Sequence, residues 1–389
     1  MVWIPPLLLA GLCLAWLIVA ALALPSFLNP RRLEQLDDQP RDWPLVSVIV
    51  TALDEEATVE PALRTLLASS YPNLELIAVN DRSRDGTGGV IDRLAKEDSR
   101  LQPIHITELP AGWLGKVHAM SRGGDSARGE WLLFTDADVH FRDRVIERVI
   151  AVVERERLDH FTLWPNLLGK TVPLRAALIA FTTNLLILLR PHRLGGENSR
   201  GFVGVGAFNL VRRTALDQTP GLQWLKMEIV DDTGLAKMMV EQGFRSSWRS
   251  AGDSLTVEWY PSIPTMIRGL EKNMYGAFSH FRLSVFLTKF VLIAPFILAP
   301  YFAVFSFSPW WLVASGLMVF GIWWLLSGLT AAAAGFGIAE ALLAPVVGAA
   351  IMFIALARSA WLTLRNRGIR WRGTFYPLKE LQAGARLKL

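Results

Sequence analysis

The chain has 389 residues, of which 52% are hydrophobic and 19% charged, with a formal net charge of +5. That balance is more apolar and less charged than a soluble globular protein carries, so it excludes intrinsic disorder and leaves room for one globular domain plus a set of membrane spans. The single cysteine, Cys13, excludes an intramolecular disulfide and a cysteine-built zinc site.

Residues 1–30 carry no charged side chain. Their apolar core, residues 3–24, is long enough to cross a hydrocarbon layer of roughly 30 Å. No Lys or Arg precedes it, as a cleavable signal requires, whereas Arg31 and Arg32 follow at once. The sequence therefore predicts an uncleaved anchor with its carboxyl side in the cytoplasm.

From about residue 42 to 260 short β-rich runs alternate with helical stretches, the pattern of an α/β sheet. Residues 46–50 (VSVIV), 74–79, 101–106 and 131–135 read as strands, and 59–68, 89–98, 118–127 and 142–157 as helices. Strand–helix–strand connections of this length give parallel, right-handed pairs. The stretch 174–190 is apolar on nearly every face and bounded by arginines. It fits a buried helix of the domain, an interfacial helix or a re-entrant segment.

Candidate spans follow at 283–305, 309–333 and 338–364, giving three to five spans in all. Three spans after a cytoplasmic domain would put the tail outside, against the positive-inside bias, so one apolar segment is expected not to cross. From Arg358 onward eight Lys and Arg face one acid, Glu380. The basic excess is thus a cluster flanking the membrane, and nucleic acid is not an expected partner.

Ligands of open α/β sheets gather at the carboxyl ends of the strands, and the polar clusters sit there: TALDEE at 51–56, NDRS at 80–83, DAD at 136–138. No GxGxxG follows the first strand and no GxxxxGK[ST] occurs, so neither a dinucleotide fingerprint nor a P-loop is present. The carboxylates imply a hard divalent cation, Mg2+ or Mn2+, between them and any phosphate. A DxD is weak alone, since two turn aspartates capping the next helix would look the same. In an extended segment Asp136 and Asp138 would point the same way.

The ordered segments VSVIVTALDEE, VNDRSRDGT, GWLGK, FTDADV and IVDDTGLAKMMVEQGF resemble the motifs of family 2 glycosyltransferases. With the tail WRGTFYPLKEL, the chain is most similar to membrane-bound lipid glycosyltransferases of the hopene-associated, carotenoid and ceramide type. The resemblance implies a GT-A fold, a Rossmann-like mixed sheet that uses nucleotide-diphospho-sugars, with N-terminal and C-terminal transmembrane helices. Matched position by position, it implies that Glu55 and Asp81 hold the base and ribose of a donor, most simply a UDP-sugar. Asp138 would bind the metal, with Asp136 facing the donor. Asp232 would be the general base, although Asp231-Asp232 can also simply cap a helix. Thr51 and Asp54 stand where proline and asparagine are common, a departure on the nucleotide loop.

Lys116 is expected in a loop whose two glycines permit close backbone approach to a ligand, and it is expected to contact donor phosphate or sugar; an ordinary surface lysine is the alternative. Asp85 is expected to shape a turn and His118 to be structural. Arg268 and Lys272 can neutralise diphosphate at the membrane surface or snorkel to lipid head groups. They replace the Q-x-x-R-W motif of processive synthases, which is missing.

The expected organisation is an anchor at 1–27, a catalytic domain at 42–260, an interfacial segment at 261–282, transmembrane helices at 283–364 and a basic tail at 365–389. The expected activity is inverting, non-processive transfer of a sugar from a nucleotide diphosphate donor to a lipid hydroxyl at the cytoplasmic membrane face. The alternatives are a processive polysaccharide synthase and a non-catalytic nucleotide-binding transport or scaffold protein.

Overall fold

The computed structural model describes residues 4–28, 31–35, 39–193 and 201–387; the first three residues of the expected anchor lie outside these. Two compact units emerge, one comprising Met1–Pro30, Gly169–His192 and Tyr260–Thr363, the other Arg31–Leu168, Arg193–Trp259 and Leu364–Leu389. This division groups the 174–190 stretch with the apolar helices and the tail with the α/β unit, unlike the linear segmentation expected from sequence.

The α/β unit is built on a mixed seven-stranded sheet. In chain order its strands are β1 (Val46–Ala52), β2 (Leu74–Asp81), β3 (Leu101–Ile106), β4 (Trp131–Asp136), β6 (His160–Trp164), β8 (Asn209–Arg212) and β9 (Ser246–Ser250). The spatial order is β3-β2-β1-β4-β8-β6-β9. β1 to β4 run parallel, as the crossover argument predicts, while β8 runs antiparallel to both β4 and β6. Every residue of β2 is buried, so its middle, residues 76–79 (LIAV), reads as a continuous apolar stretch rather than an alternating one, while the buried Glu75 is satisfied by Ser47 and Arg128. A smaller sheet joins β5 (Val139–Phe141), β10 (Leu255–Val257) and β7 (Asn166–Leu167). A hairpin of β11 (Gly368–Trp371) and β12 (Thr374–Pro377) completes the strands.

Chain order reverses direction across the sheet at β1, between β2 and β4, and that crevice is where such sheets bind ligands. Thr51 pairs with both Val79 and Asp136, so the loops after β1, β2 and β4 leave the sheet side by side. β8 runs the opposite way with Asn209 opposite Phe134. The segment entering β8 therefore arrives at the same edge.

The other unit is helical. Among the described residues, five helices are long and apolar enough to cross a membrane: Pro5–Ala23, Val172–Arg193, Leu283–Phe305, Trp310–Ala333 and Ile338–Asn366. Pro300 has no N–H to give the carbonyl four residues earlier, and Trp16 Nε1 donates to that Phe296 carbonyl at 2.8 Å while its ring stacks on Phe296. Gly348 packs so closely on Val172–Leu189 that a Cβ there would lie 2.2 Å from Ala180 Cβ. Arg175 pairs with the buried Glu340 at 2.9 Å.

Candidate active site

The loops at the carboxyl ends of β1 and β2 are tied to each other. Asp54 takes a left-handed backbone (φ 55), which Asp and Asn tolerate better than most residues, and its Oδ1 accepts from the Arg84 N–H at 2.7 Å. The Asp54 N–H donates to Ser83 Oγ, and the Glu55 N–H to Thr87 Oγ1. Asp85 accepts from the Thr87 N–H and hydroxyl and from the Glu56 N–H, the turn-shaping role expected of it.

Asp81 ends β2, buried, and the next residue folds back on it: Arg82 Nε donates to Oδ1 at 2.7 Å and Nη2 to Oδ2 at 2.9 Å. Gly115 lies against this pair, since a Cβ there would come within 2.5 Å of Asp81 Oδ2. Glu55 accepts from Thr58 Oγ1 and from Arg372 Nη2, each at 2.7 Å.

Lys116 is not in a loop. It is the second residue of the helix Gly115–Ser126, whose cap residue Leu114 is extended. The glycines of GWLGK read as loop, but Gly115 begins the helix where the chain must pass close to Asp81. Lys116 Nζ reaches Asp136 Oδ1 at 2.8 Å and Asp231 Oδ2 at 3.3 Å. Burial disfavours its charge, yet the carboxylates of Asp136, Asp231 and Asp232 outweigh it and hold the ammonium above its ordinary range.

Asp136 is the last residue of β4, and Asp138 lies in the two-residue turn before β5, so strand alternation does not govern the pair. They flank the buried Ala137. Burial first, then the carboxylates of Asp136 and Glu55, push Asp138 well above the usual carboxylate range, with Lys116 opposing. Among the described residues no three or more His, Cys, Asp or Glu form a group that could hold a metal. The donor set present, two carboxylates, fits a hard cation that takes its remaining ligands from water and phosphate oxygens.

Asp231 and Asp232 open the helix Asp231–Glu241, where its dipole favours negative charge, although neither caps it through the side chain in the usual way. Asp232 Oδ2 accepts from the Gly206 N–H at 2.8 Å and Oδ1 from the Thr233 N–H at 2.6 Å. Burial and then Asp231 raise the Asp232 carboxyl, again opposed by Lys116.

Two glycines between β7 and β8 make this convergence possible. A Cβ on Gly204 would lie 1.9 Å from the Asp232 carbonyl oxygen, and one on Gly206 would lie 2.7 Å from Asp136 Oδ2 and 3.3 Å from Lys116 Nζ. Sequence reasoning missed this loop; its signal is the G-F-V-G-V-G spacing at 201–206. It also missed a buried relay behind Asp232. Asn209 Nδ2 donates to the Asp232 carbonyl at 3.0 Å, and Asn209 Oδ1 meets His160 Nε2 at 2.6 Å.

Glu55, Asp81, Lys116, Asp136, Asp138 and Asp232 thus gather at one edge of the sheet. Arg268, on the helix Ile263–Leu270, and Lys272 belong to the helical unit and stand as expectations from sequence alone.

The family profile described as "Glycosyl transferase family 2" matches residues 47–219. Among curated proteins, the chain is 26% identical over 213 residues to a beta-monoglucosyldiacylglycerol synthase of Trichormus variabilis, covering 54% of this chain and 43% of that protein. It is 32% identical over 116 residues to the uncharacterized glycosyltransferase EpsJ of Bacillus subtilis, covering 30% and 32%. The chain therefore spans less than half the length of these relatives. Among solved structures, the mannosyltransferase PcManGT of Pyrobaculum calidifontis, in complex with GDP-Man and Mn2+, aligns over 91% of this chain and 99% of its own, with a TM-score of 0.52 and 18% identity. That likeness bears on the fold.

Proposed function

We propose that the chain, whose residues 47–219 match the family 2 glycosyltransferase profile and whose α/β unit has the GT-A fold, transfers one sugar from a nucleotide diphosphate donor, most simply a UDP-sugar, to the hydroxyl of a membrane lipid with inversion at the anomeric carbon. The observation that carries the reading is the meeting of Asp232 and Asp136 at Gly206, beside Lys116, which pairs with Asp136 and with the neighbouring Asp231; this brings a candidate base close to candidate donor-binding groups. Glu55 and Asp81 hold the nucleoside. Lys116 and Asp136 orient the diphosphate and sugar. Asp232 accepts the proton of the lipid hydroxyl as its oxygen attacks the anomeric carbon, while the bond to the diphosphate breaks and the nucleoside diphosphate departs with the electron pair. General-base assistance of this kind is typically worth about 10² to 10⁴ in rate.

A divalent cation bound at Asp138 with Asp136 would neutralise charge on the departing diphosphate. The Mn2+ bound by the mannosyltransferase of similar fold supports a divalent cation here. The relatives named as glucosyldiacylglycerol synthases support a lipid acceptor, and the apolar helices support a membrane enzyme. In the proposed orientation the catalytic unit faces the cytoplasm.

The test is sugar transfer by purified protein with Mg2+ or Mn2+. A lipid extract incubated with UDP-hexose should gain one hexose by mass spectrometry, and Asp232→Asn should lose at least a hundredfold in rate. A wild-type rate in that variant would remove the base assignment, and transfer to water alone would remove the lipid acceptor.

A further inference from the structure

The segment 368–387 passes across the α/β unit and is fastened at both ends. β11 and β12 pair antiparallel with Trp371 opposite Thr374, leaving Arg372 and Gly373 as a two-residue turn. Both turn residues are left-handed, φ 45 and 79, the combination whose twist suits a hairpin. Asn-Gly or Gly-Gly fills such a turn without penalty, whereas an arginine at its first position is strained by its Cβ.

The strained position is occupied by a side chain with a specific reach. Arg372 Nη1 donates to the Leu53 carbonyl at 2.8 Å and Nη2 to Glu55 Oε1 at 2.7 Å, a fork that spans the loop after β1. On the same hairpin Thr374 Oγ1 accepts from Arg82 Nη1, the guanidinium that clasps Asp81, at 3.3 Å. Tyr376, buried, accepts from the Gly115 N–H at 3.1 Å through its hydroxyl, one residue before Lys116. Three successive hairpin contacts thus fall on the three segments that carry Glu55, Asp81 and Lys116. At the far end the Arg386 and Leu387 N–H groups donate to the buried Glu228, and Lys237 Nζ donates to the Arg386 carbonyl.

We propose that this strap is a wall of the donor pocket and that Arg372 is a positioning residue for nucleotide recognition, holding Glu55 against the β1 loop in the orientation that receives the nucleoside. The inference rests on the reading of Glu55 and Asp81 as donor-binding groups. Removal of the guanidinium leaves Glu55 with the Thr58 hydroxyl and frees it to turn away. A charge-assisted fork of this kind is worth roughly a ten- to hundredfold change in an equilibrium constant.

Arg372→Asn separates the two roles the residue could have, because asparagine suits the turn and carries no fork. The probes are UDP and GDP titrated into the full-length protein in detergent with MnCl2, together with donor KM, kcat and unfolding temperature. The expected result is nucleoside diphosphate binding weakened by roughly tenfold or more and a donor KM raised to match, with kcat within about threefold and unfolding temperature unchanged or higher. Arg372→Lys, which keeps charge and backbone but not the fork, is expected to fall between. Should Arg372→Asn unfold more readily than wild type, Arg372→Lys decides: weakened binding at wild-type stability supports the role. Wild-type affinity in a stably folded Arg372→Asn or in Arg372→Lys overturns it and leaves the hairpin as structure alone. If the wild-type protein binds neither nucleotide, the donor-pocket reading itself fails.

Discussion

The most exacting test of the site's geometry is the addition of one methyl group at Gly206. A Cβ there would stand 2.7 Å from Asp136 Oδ2, while Oδ1 of the same carboxylate holds Lys116 Nζ at 2.8 Å. The contact requires the oxygen or the loop to retreat by about half an ångström or more, because carbon–oxygen repulsion rises steeply at that separation. If the carboxylate turns, the pair with Lys116 opens. If the loop moves, the Gly206 N–H leaves Asp232, which it now meets at 2.8 Å. Both routes displace a group assigned to the reaction, and misplacement by about 1 Å costs on the order of a hundredfold in rate, or about 2.7 kcal/mol in barrier. The cost in stability should be about 1–3 kcal/mol, the usual range for overpacking. Steady-state transfer kinetics of Gly206→Ala alongside thermal unfolding read both quantities. A kcat within threefold of wild type in a folded variant would refute the claim that this close approach shapes the catalytic centre.

Gly89→Ala is the complementary case: exposed in the helix Thr87–Glu97 with nothing within 4 Å of an added Cβ, it should gain about 0.5–1 kcal/mol of stability with unchanged activity, measured by unfolding and turnover. His160 is fully buried between Ser246 and Asn209, and burial lowers its pKa from 6.5 to about 4. The unfolded chain binds this proton first as pH falls, so the contribution is whole above 6.5 and is lost between 6.5 and 4, up to roughly 3 kcal/mol. Unfolding midpoints against pH should therefore show a shallower acid limb in His160→Gln than in wild type. Glu228→Ala should strip the Arg386 and Leu387 N–H groups of their buried acceptor, and hydrogen exchange at those two amides should rise by tenfold or more.

What sequence could reveal follows from how each part of the site is made. β1, β2 and β4 are legible because strands buried on both faces carry apolar stretches with few polar interruptions, and the carboxylates that follow them stand out. β8 is not legible, because a strand of four residues entering from a glycine-rich loop carries little periodic signal. The glycines around Lys116 read as loop because glycine signals breaks more strongly than it signals the start of a helix pressed against Asp81. The roles of Gly204 and Gly206 depend on what their missing side chains would strike, which no local pattern encodes. The contacts of Arg372 and Tyr376 with the donor loops join residues more than 250 positions apart, and the basic tail by itself reads as a lipid-facing cluster.

The central claim is that separated acidic side chains meet around one cation and one diphosphate. Electron paramagnetic resonance of free Mn2+ titrated with the purified protein addresses it without reference to sugar or lipid. With only a carboxylate pair among the described residues, Mn2+ uptake should be weak alone, should strengthen at least tenfold when UDP is added, and should be lost in Asp138→Asn. Uptake that is equally tight with and without UDP, or that persists in Asp138→Asn, would contradict the account.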